Sequence, residues 1–333
     1  MTAFSILDLC PVVEGGTVGE ALDATRQMAK AAEAAGYTRF WLAEHHGMIG
    51  IASAATSIVI SEAARATETL RVGAGGVMLP NHSPLVIAEQ FGTLAALYPG
   101  RIDLGLGRAP GTDMLTARAL RRNLEAGAES FPKDILELQA YLGDASEGQK
   151  PIATPGAGTH VPLYLLGSSL YSAHLAAALG LPYAFASHFA PEMLFQALDI
   201  YRRNFKPSPE LEKPYVIAGV QGAMAETDEE ADYLFTSGLQ SFVALRRNAR
   251  GKMPPPVKSM DGIWSEMEKL SLEHTFQFAV VGGPDKARTK MAKFVADTGA
   301  DEVIISMPIH SVEARLKSVA LFGDMRHALK QAA

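Results

Sequence analysis

Apolar runs of strand length alternate with longer amphipathic or alanine-rich segments along the chain. Four runs have the length and composition of buried strands: residues 4–9, 39–43, 70–78 and 101–106. Three segments between them have helical spacing: residues 17–35, 53–66 and 84–97. Gly36 supplies a helix stop and Pro84 a favourable first helical position. This order predicts parallel strands joined by helical crossovers.

The same alternation resumes in the second half of the chain. Strand-like runs begin near residues 162, 183, 215 and 302. Helical segments follow at residues 169–179, 191–204, from 227, 285–298 and 312–330. Eight strand–helix units favour a closed (β/α)8 TIM barrel of the α/β class, and an open doubly wound sheet is the alternative. In such a barrel the functional site lies at the carboxyl ends of the strands.

Two connections are too long for simple strand–helix units, so we expect insertions before strands 5 and 8. Residues 116–142 predict one long helix or two. Residues 246–274 read as irregular, and long irregular segments in compact domains are often active-site lids. Since no linker-like stretch divides the chain, residues 1–333 are expected to form a single domain with 246–274 as a mobile lid.

The composition restricts the partners of the protein. Its 30 Lys and Arg residues against 36 Asp and Glu residues give a net charge of −6, which argues against nucleic-acid binding. Cys10 is the only cysteine, so an intramolecular disulfide and a cysteine metal cluster are both excluded. The sequence shows no signal-peptide pattern and no apolar run of transmembrane length, so we expect a cytoplasmic protein without membrane contact.

Glu44, His45 and His46 follow the second strand directly, at the predicted catalytic rim. Histidines there can act as a base, a hydrogen-bond donor or a metal ligand, and the alternative is a loop pair bonded to backbone carbonyls. The other histidines lack zinc-type spacing, so no metal is predicted.

Glycines end the third strand, where Gly75 and Gly76 either form a bulge or let a flat ligand lie against the backbone. The segment is not a dinucleotide fingerprint, because no G-x-G-x-x-G leads into a helix.

An anion site is predicted where the fourth and fifth strands end. Arg108 suits a phosphate or carboxylate clamp, with an inter-loop salt bridge as the alternative. Ser168 and Ser169 open a helix and Ser172 lies one turn further on, so hydroxyls and free N–H groups would meet an anion there. A plain N-cap role for Ser168 or Ser169 is compatible with this reading.

Three of these segments together resemble the bacterial luciferase-like flavin monooxygenase family. They are WLAEHH at 41–46, TLRVGAGGVMLP at 69–80 and PGRIDLGLGR at 99–108. The similarity runs through most of the chain, is densest in residues 1–122, and is greatest to the single-chain, uncharacterised branch.

The resemblance implies a (β/α)8 barrel with FMN at the strand ends. His45 would be an active-site base or proton carrier, oriented by Glu44. Gly75–Gly76 matches a place where the family often carries a non-prolyl cis peptide beneath the flavin ring. Arg108 with Ser168, Ser169 and Ser172 matches the flavin phosphate site, and 246–274 matches the mobile loop.

The resemblance also implies the reaction. A separate reductase would deliver reduced FMN, and one oxygen of O2 would enter an organic substrate by way of a C4a-peroxyflavin. Gly107 stands where the light-emitting subunit has a reactive cysteine, so light emission is not expected. A deazaflavin-dependent hydride-transfer oxidoreductase and a non-catalytic flavin-binding protein are the alternatives.

The expected substrate is a small apolar molecule, because several apolar side chains lie on the predicted barrel rim and in the predicted lid. They are Met48, Ile49, Met253, Met260, Ile263 and Trp264. A homodimer is expected from the family resemblance, through the helices near 53–66 and 84–97.

Overall fold

The computed structural model describes residues 2–109, 114–120 and 130–331. Its strands are β1 Ala3–Asp8, β2 Arg39–Leu42, β3 Arg71–Met78, β4 Ile102–Gly107, β5 Leu163–Gly167, β6 Tyr183–Phe185, β7 Val216–Met224, β8 Val280–Gly282 and β9 Glu302–Ser306. All pairings are parallel, in the order β6-β5-β4-β3-β2-β1-β9-β7, and a β6–β7 pairing closes the ring. The predicted eight-stranded barrel is therefore confirmed.

Helices surround this barrel and follow the strands along the chain. They are α1 Val18–Ala34, α2 Thr56–Arg65, α3 Pro84–Leu97, α4 Met114–Leu120, α5 Phe131–Leu142, α6 Leu170–Leu179, α7 Leu194–Asn204, α8 Asp228–Arg246, α9 Glu266–Thr275, α10 Pro284–Thr298 and α11 Val312–Gln331. The helix predicted over 116–142 corresponds to α4 and α5, and its middle, 121–129, lies outside the described residues.

The insertion before the last barrel strand contains two elements that the sequence did not predict. Strand β8 pairs with the end of β7, at Gly222–Met224, and stands outside the closed ring. Residues 246–274 were expected to be irregular throughout, but α9 occupies the end of this segment. A capping box between Ser265 and Glu268 starts α9 by satisfying backbone N–H groups on both sides of the helix start.

The period-two alternation of the strands divides the core into two layers. Phe40 and Leu42 point outward and pack with the large cluster beneath the helices. Trp41 points inward and packs with Leu7, Ala184 and other side chains that fill the barrel. This inner layer closes the barrel beneath its carboxyl end.

A buried charge network lies on the amino-terminal side of that inner layer. The Arg39 guanidinium donates to Asp103 Oδ2 at 2.7 Å and to Glu302 Oε1 at 2.8 Å, and both carboxylates are fully buried. Arg39 also donates to the Tyr164 hydroxyl, and Tyr215 donates to Glu302. The network therefore joins β2, β4 and β9 across the barrel interior.

No helix within the described ranges is long and apolar enough to cross a membrane.

Replacing Arg39 by Met should lower the free energy of unfolding by about 3–5 kcal/mol, since the buried Glu302 carboxylate loses its guanidinium partner and the buried Asp103 carboxylate keeps only that of Arg71. Equilibrium urea denaturation measures this loss. Arg26→Met is the control, because the ion pairs of Arg26 with Asp23 and Glu62 are solvent-exposed and should contribute less than about 1 kcal/mol. Equal losses in the two variants would contradict the structural role of the buried network.

Candidate active site

A cavity of about 890 Å³ opens at the carboxyl ends of the barrel strands. This volume is near the upper end of the roughly 300–1,000 Å³ typical of ligand sites. Its apolar floor includes Leu7, Trp41, Ala184 and Ile304 from the inner barrel layer. Seven of the eight residues singled out from the sequence line it: His45, Gly75, Gly76, Arg108, Ser168, Ser169 and Ser172. The eighth, Glu44, is not part of the lining.

The Gly75–Gly76 peptide bond is cis, as the family resemblance implied, and both glycines face the cavity. A Cβ on Gly75 would stand 2.8 Å from Leu7 Cδ1, and one on Gly76 would stand 2.7 Å from the Gly105 carbonyl oxygen. Close packing against the floor and against β4 therefore requires glycine at both positions.

Glu44 is a buried anchor behind the cavity wall. Its Oε1 accepts hydrogen bonds from His46 Nε2 at 2.7 Å and His82 Nε2 at 2.8 Å, and its Oε2 accepts from the Met78 backbone N–H. Burial alone would raise the pKa of Glu44, but these donors outweigh burial and lower it. Glu44 thus stays ionised and ties the end of β2 to the end of β3.

The expectation that Glu44 orients His45 is therefore wrong. The carboxylate is taken up by His46, His82 and Met78, and it reaches His45 only through its charge, which favours the protonated ring. Sequence reasoning missed His82 as a member of this group. The sequence did contain a signal for His82. It lies one short turn after β3, and that turn is on the same rim of the barrel as Glu44.

The Glu44, His46 and His82 ligand atoms lie within 4.8 Å of one another, which is close enough to consider a metal site. At 2.7 and 2.8 Å, however, the nitrogen–oxygen distances are those of hydrogen bonds, and both rings donate to the carboxylate. The arrangement is therefore a hydrogen-bonded clamp.

His45 and His188 form the polar part of the cavity wall, and each has a buried Nδ1 without a partner among the described residues. Burial lowers the pKa of His45, and the nearby Arg250 charge lowers it further. Burial, with a contribution from His45, lowers the pKa of His188 to about 4. Both rings are therefore neutral near pH 7 and can accept or donate a proton. His188 was missed, although a polar residue just after β6 falls on the predicted rim.

A second group of lining residues suits an anion. The Arg108 guanidinium lies 4.3 Å from the centre of the Tyr171 ring, and the side chain is exposed. Ser169 is the N-cap of α6, but its hydroxyl makes no capping bond. Ser172 is less available, since its hydroxyl donates to the Ser169 carbonyl and bonds the Tyr183 hydroxyl. The groups available to bind a phosphate are therefore Arg108, Ser168, Ser169 and the N-terminus of α6.

Residues 250–254 of the proposed lid form part of the cavity wall. Met253 donates its N–H to the Val12 carbonyl at 2.9 Å, and its own carbonyl accepts from Glu14 N–H at 2.8 Å. These backbone bonds fasten the segment to the loop after β1. The segment therefore lines the cavity, and its role as a mobile lid stays a prediction.

The comparisons with known proteins decide the family. The profile of luciferase-like monooxygenases matches residues 2–302. A luciferase-like monooxygenase of Escherichia coli (strain K12) is 51% identical over 327 residues, which cover 98% of both chains. The chain belongs to the luciferase-like monooxygenase family. It is therefore an oxidoreductase, and the family resemblance of its sequence motifs is confirmed.

Other family members and solved structures extend the comparison. The crystal structure of apo-MsnO8 is 35% identical, has a TM-score of 0.89 and covers 98% of this chain and 99% of its own. The N-acetyl-S-alkylcysteine monooxygenase of Bacillus subtilis (strain 168) is 29% identical over 340 residues, 99% of this chain and all of its own.

Two more distant structures share only the fold. They are an FMN complex of the oxygenating constituent of 3,6-diketocamphane monooxygenase (15% identity, TM-score 0.71, 97% and 96% coverage) and an F420-dependent secondary alcohol dehydrogenase (14% identity, TM-score 0.68, 97% and 98% coverage).

His188 should make the folded protein less stable in mild acid. In the unfolded chain it binds a proton below about pH 6.5, but in the folded protein only below about pH 4. The free energy of unfolding is therefore not reduced by His188 above pH 6.5. It falls by up to about 3 kcal/mol as the pH drops to 4. Urea denaturation across this range should show a shallower pH dependence in His188→Gln than in the wild type.

The exposed His174 on α6 provides the control for this experiment. His174→Gln should retain the wild-type pH dependence of unfolding. If His188→Gln and the wild type lose stability in parallel between pH 6.5 and 4, His188 is not held neutral by burial.

Proposed function

We propose that this protein is an FMN-dependent two-component monooxygenase. A separate reductase supplies reduced FMN, and one oxygen atom of O2 enters an organic substrate. The observation that carries the proposal is that one cavity combines the anion-binding group at Arg108 with a neutral histidine pair, His45 and His188. Gly75–Gly76 lies on β3, between the strands that precede His45 and that end beside Arg108.

Several features fit FMN in this cavity. Arg108, Ser168 and Ser169 would hold its phosphate at the α6 N-terminus. Gly75 and Gly76 present backbone without side chains to a flat ring. The FMN complex named among the distant structures supports this assignment by analogy of fold. When bound, reduced FMN supplies the electrons and the reactivity towards O2.

The protein itself would hold the reactants in place, move protons at the site and exclude water from it. His45 stays neutral, so it can take up or return a proton at Nδ1 within the cavity. The floor around Trp41 is apolar, and residues 250–254 form part of the wall. Both features exclude water from the site. A dry site keeps activated oxygen from being lost before it reaches the substrate.

A deazaflavin is the rival cofactor, because an F420-dependent dehydrogenase shares the fold. A flavin-binding protein without turnover is the second rival. We favour FMN and oxygenation because relatives named as monooxygenases extend over almost the whole chain, including the Bacillus subtilis enzyme that acts on N-acetyl-S-alkylcysteine.

We further propose a cytoplasmic homodimer. Ile58 on α2 and Val86 and Leu97 on α3 expose large apolar side chains on the two helices that were predicted to form the dimer surface.

The oxygen reaction can be tested before any substrate is known. The protein with reduced FMN is mixed rapidly with oxygenated buffer, and the return of oxidised-flavin absorbance is followed. We expect a delay before oxidised FMN returns, and His45→Ala should shorten this delay roughly tenfold or more, because proton control at the site is lost.

His174→Ala provides the matched control and should keep the wild-type delay, since His174 is exposed and does not line the cavity. Immediate return of oxidised FMN in the wild type, with no effect of His45→Ala, would contradict the monooxygenase proposal. Binding of F420 in preference to FMN would move the assignment to hydride transfer.

A further inference from the structure

Within residues 246–252, one cationic side chain lines the cavity without a partner among the residues that the structure describes. Residues 246–252 contain four cationic side chains, and three of them are engaged elsewhere. Arg246 donates to Thr275 Oγ1, Arg247 pairs with Glu268, and Lys252 donates to the Gly16 carbonyl. Arg250 lines the cavity with a buried Nε, and its guanidinium has no hydrogen bond or ion pair with any residue in the described ranges.

Other unpartnered polar atoms lie in the same cavity. Gln221 is only 4% exposed, and its Oε1 has no partner among the described residues. Gly219 and Gln221 share the inward face of β7, and the His188 ring lies directly against Gly219. Arg250 lies close enough to His45, and His45 to His188, for each pair to interact electrostatically, so these groups are neighbours. Buried polar atoms are nearly always paired, so this cluster indicates a polar ligand group.

The charge of the cavity wall favours an anionic ligand group. Its described lining has four cationic side chains, Arg108, Arg246, Arg250 and Lys252, against the acidic Asp8 and Glu14. Asp8 is already engaged, since it accepts from Thr25 Oγ1 at 2.7 Å and lies 3.8 Å from Arg315. Arg108 belongs to the proposed phosphate site, which leaves Arg250 for a second anion.

We propose that Arg250 binds a carboxylate of the substrate, so that the preferred substrates are amphipathic carboxylates rather than wholly apolar molecules. This inference rests on the proposed function for the identity of the reaction. One planar guanidinium among neutral neighbours matches one carboxylate in charge and in geometry. The apolar remainder of the substrate packs against Met48, Phe242 and Met253, which line the same cavity.

Binding of two isosteric probes tests the proposal without turnover. Octanoate and octanamide are titrated calorimetrically into the full-length protein at pH 8, both without flavin and with saturating FMN. The wild type should bind octanoate about tenfold or more tightly than octanamide, and Arg250→Gln should reduce this preference to within about twofold. Because the flavin-free titration needs no oxygen chemistry, its outcome is independent of whether the protein is a monooxygenase.

Arg247→Gln is the matched control, since it removes the same charge from the same segment but from a side chain that pairs with Glu268 outside the cavity. It should keep the wild-type preference. The proposal is overturned if the wild type binds both probes equally, or if Arg250→Gln keeps the preference for octanoate. It is also overturned if Arg250→Gln weakens FMN binding as much as octanoate binding, because Arg250 would then belong to the flavin site.

Discussion

The buried guanidinium of Arg39 is the constraint on which the barrel interior depends. It bonds two fully buried carboxylates, Asp103 and Glu302, and so joins β2, β4 and β9 below the apolar layer. A buried charge without its partner is costly, so this network admits one arrangement of the three strands. That arrangement places Trp41 and Leu7 as a floor, and the floor sets the depth of the cavity above it.

A second anchor sets the rim of the cavity. Glu44 joins the end of β2 to His82 and to the Met78 N–H, while its own N–H donates to the Gly76 carbonyl. The neighbouring His45 lines the cavity, and its buried Nδ1 has no partner among the described residues. One carboxylate therefore positions the backbone around Gly76, and the adjacent histidine remains available for chemistry.

Hydrophobic periodicity predicted the eight barrel strands because each is a continuous buried run between helical segments. It missed β8, which lies in the long insertion before the last barrel strand and stands outside the ring, and α9, although Ser265 and Glu268 carry a capping-box pattern. The bonds of Glu44 to Met78 and His82 could not be predicted as contacts, because these residues lie 34 and 38 positions further along the chain. His188 follows β6 on the rim, but its buried Nδ1 and its contact with Gly219 arise only in the folded barrel.

We propose that a flavin lies in this cavity with its phosphate at Arg108 and the α6 N-terminus. The dissociation constants of FMN and riboflavin test this placement, since the two molecules differ only in the phosphate. The wild type should bind FMN about 10–100-fold more tightly than riboflavin, and Arg108→Met should remove this preference while leaving riboflavin binding unchanged. Equal preference for FMN in Arg108→Met and in the wild type would contradict the claim.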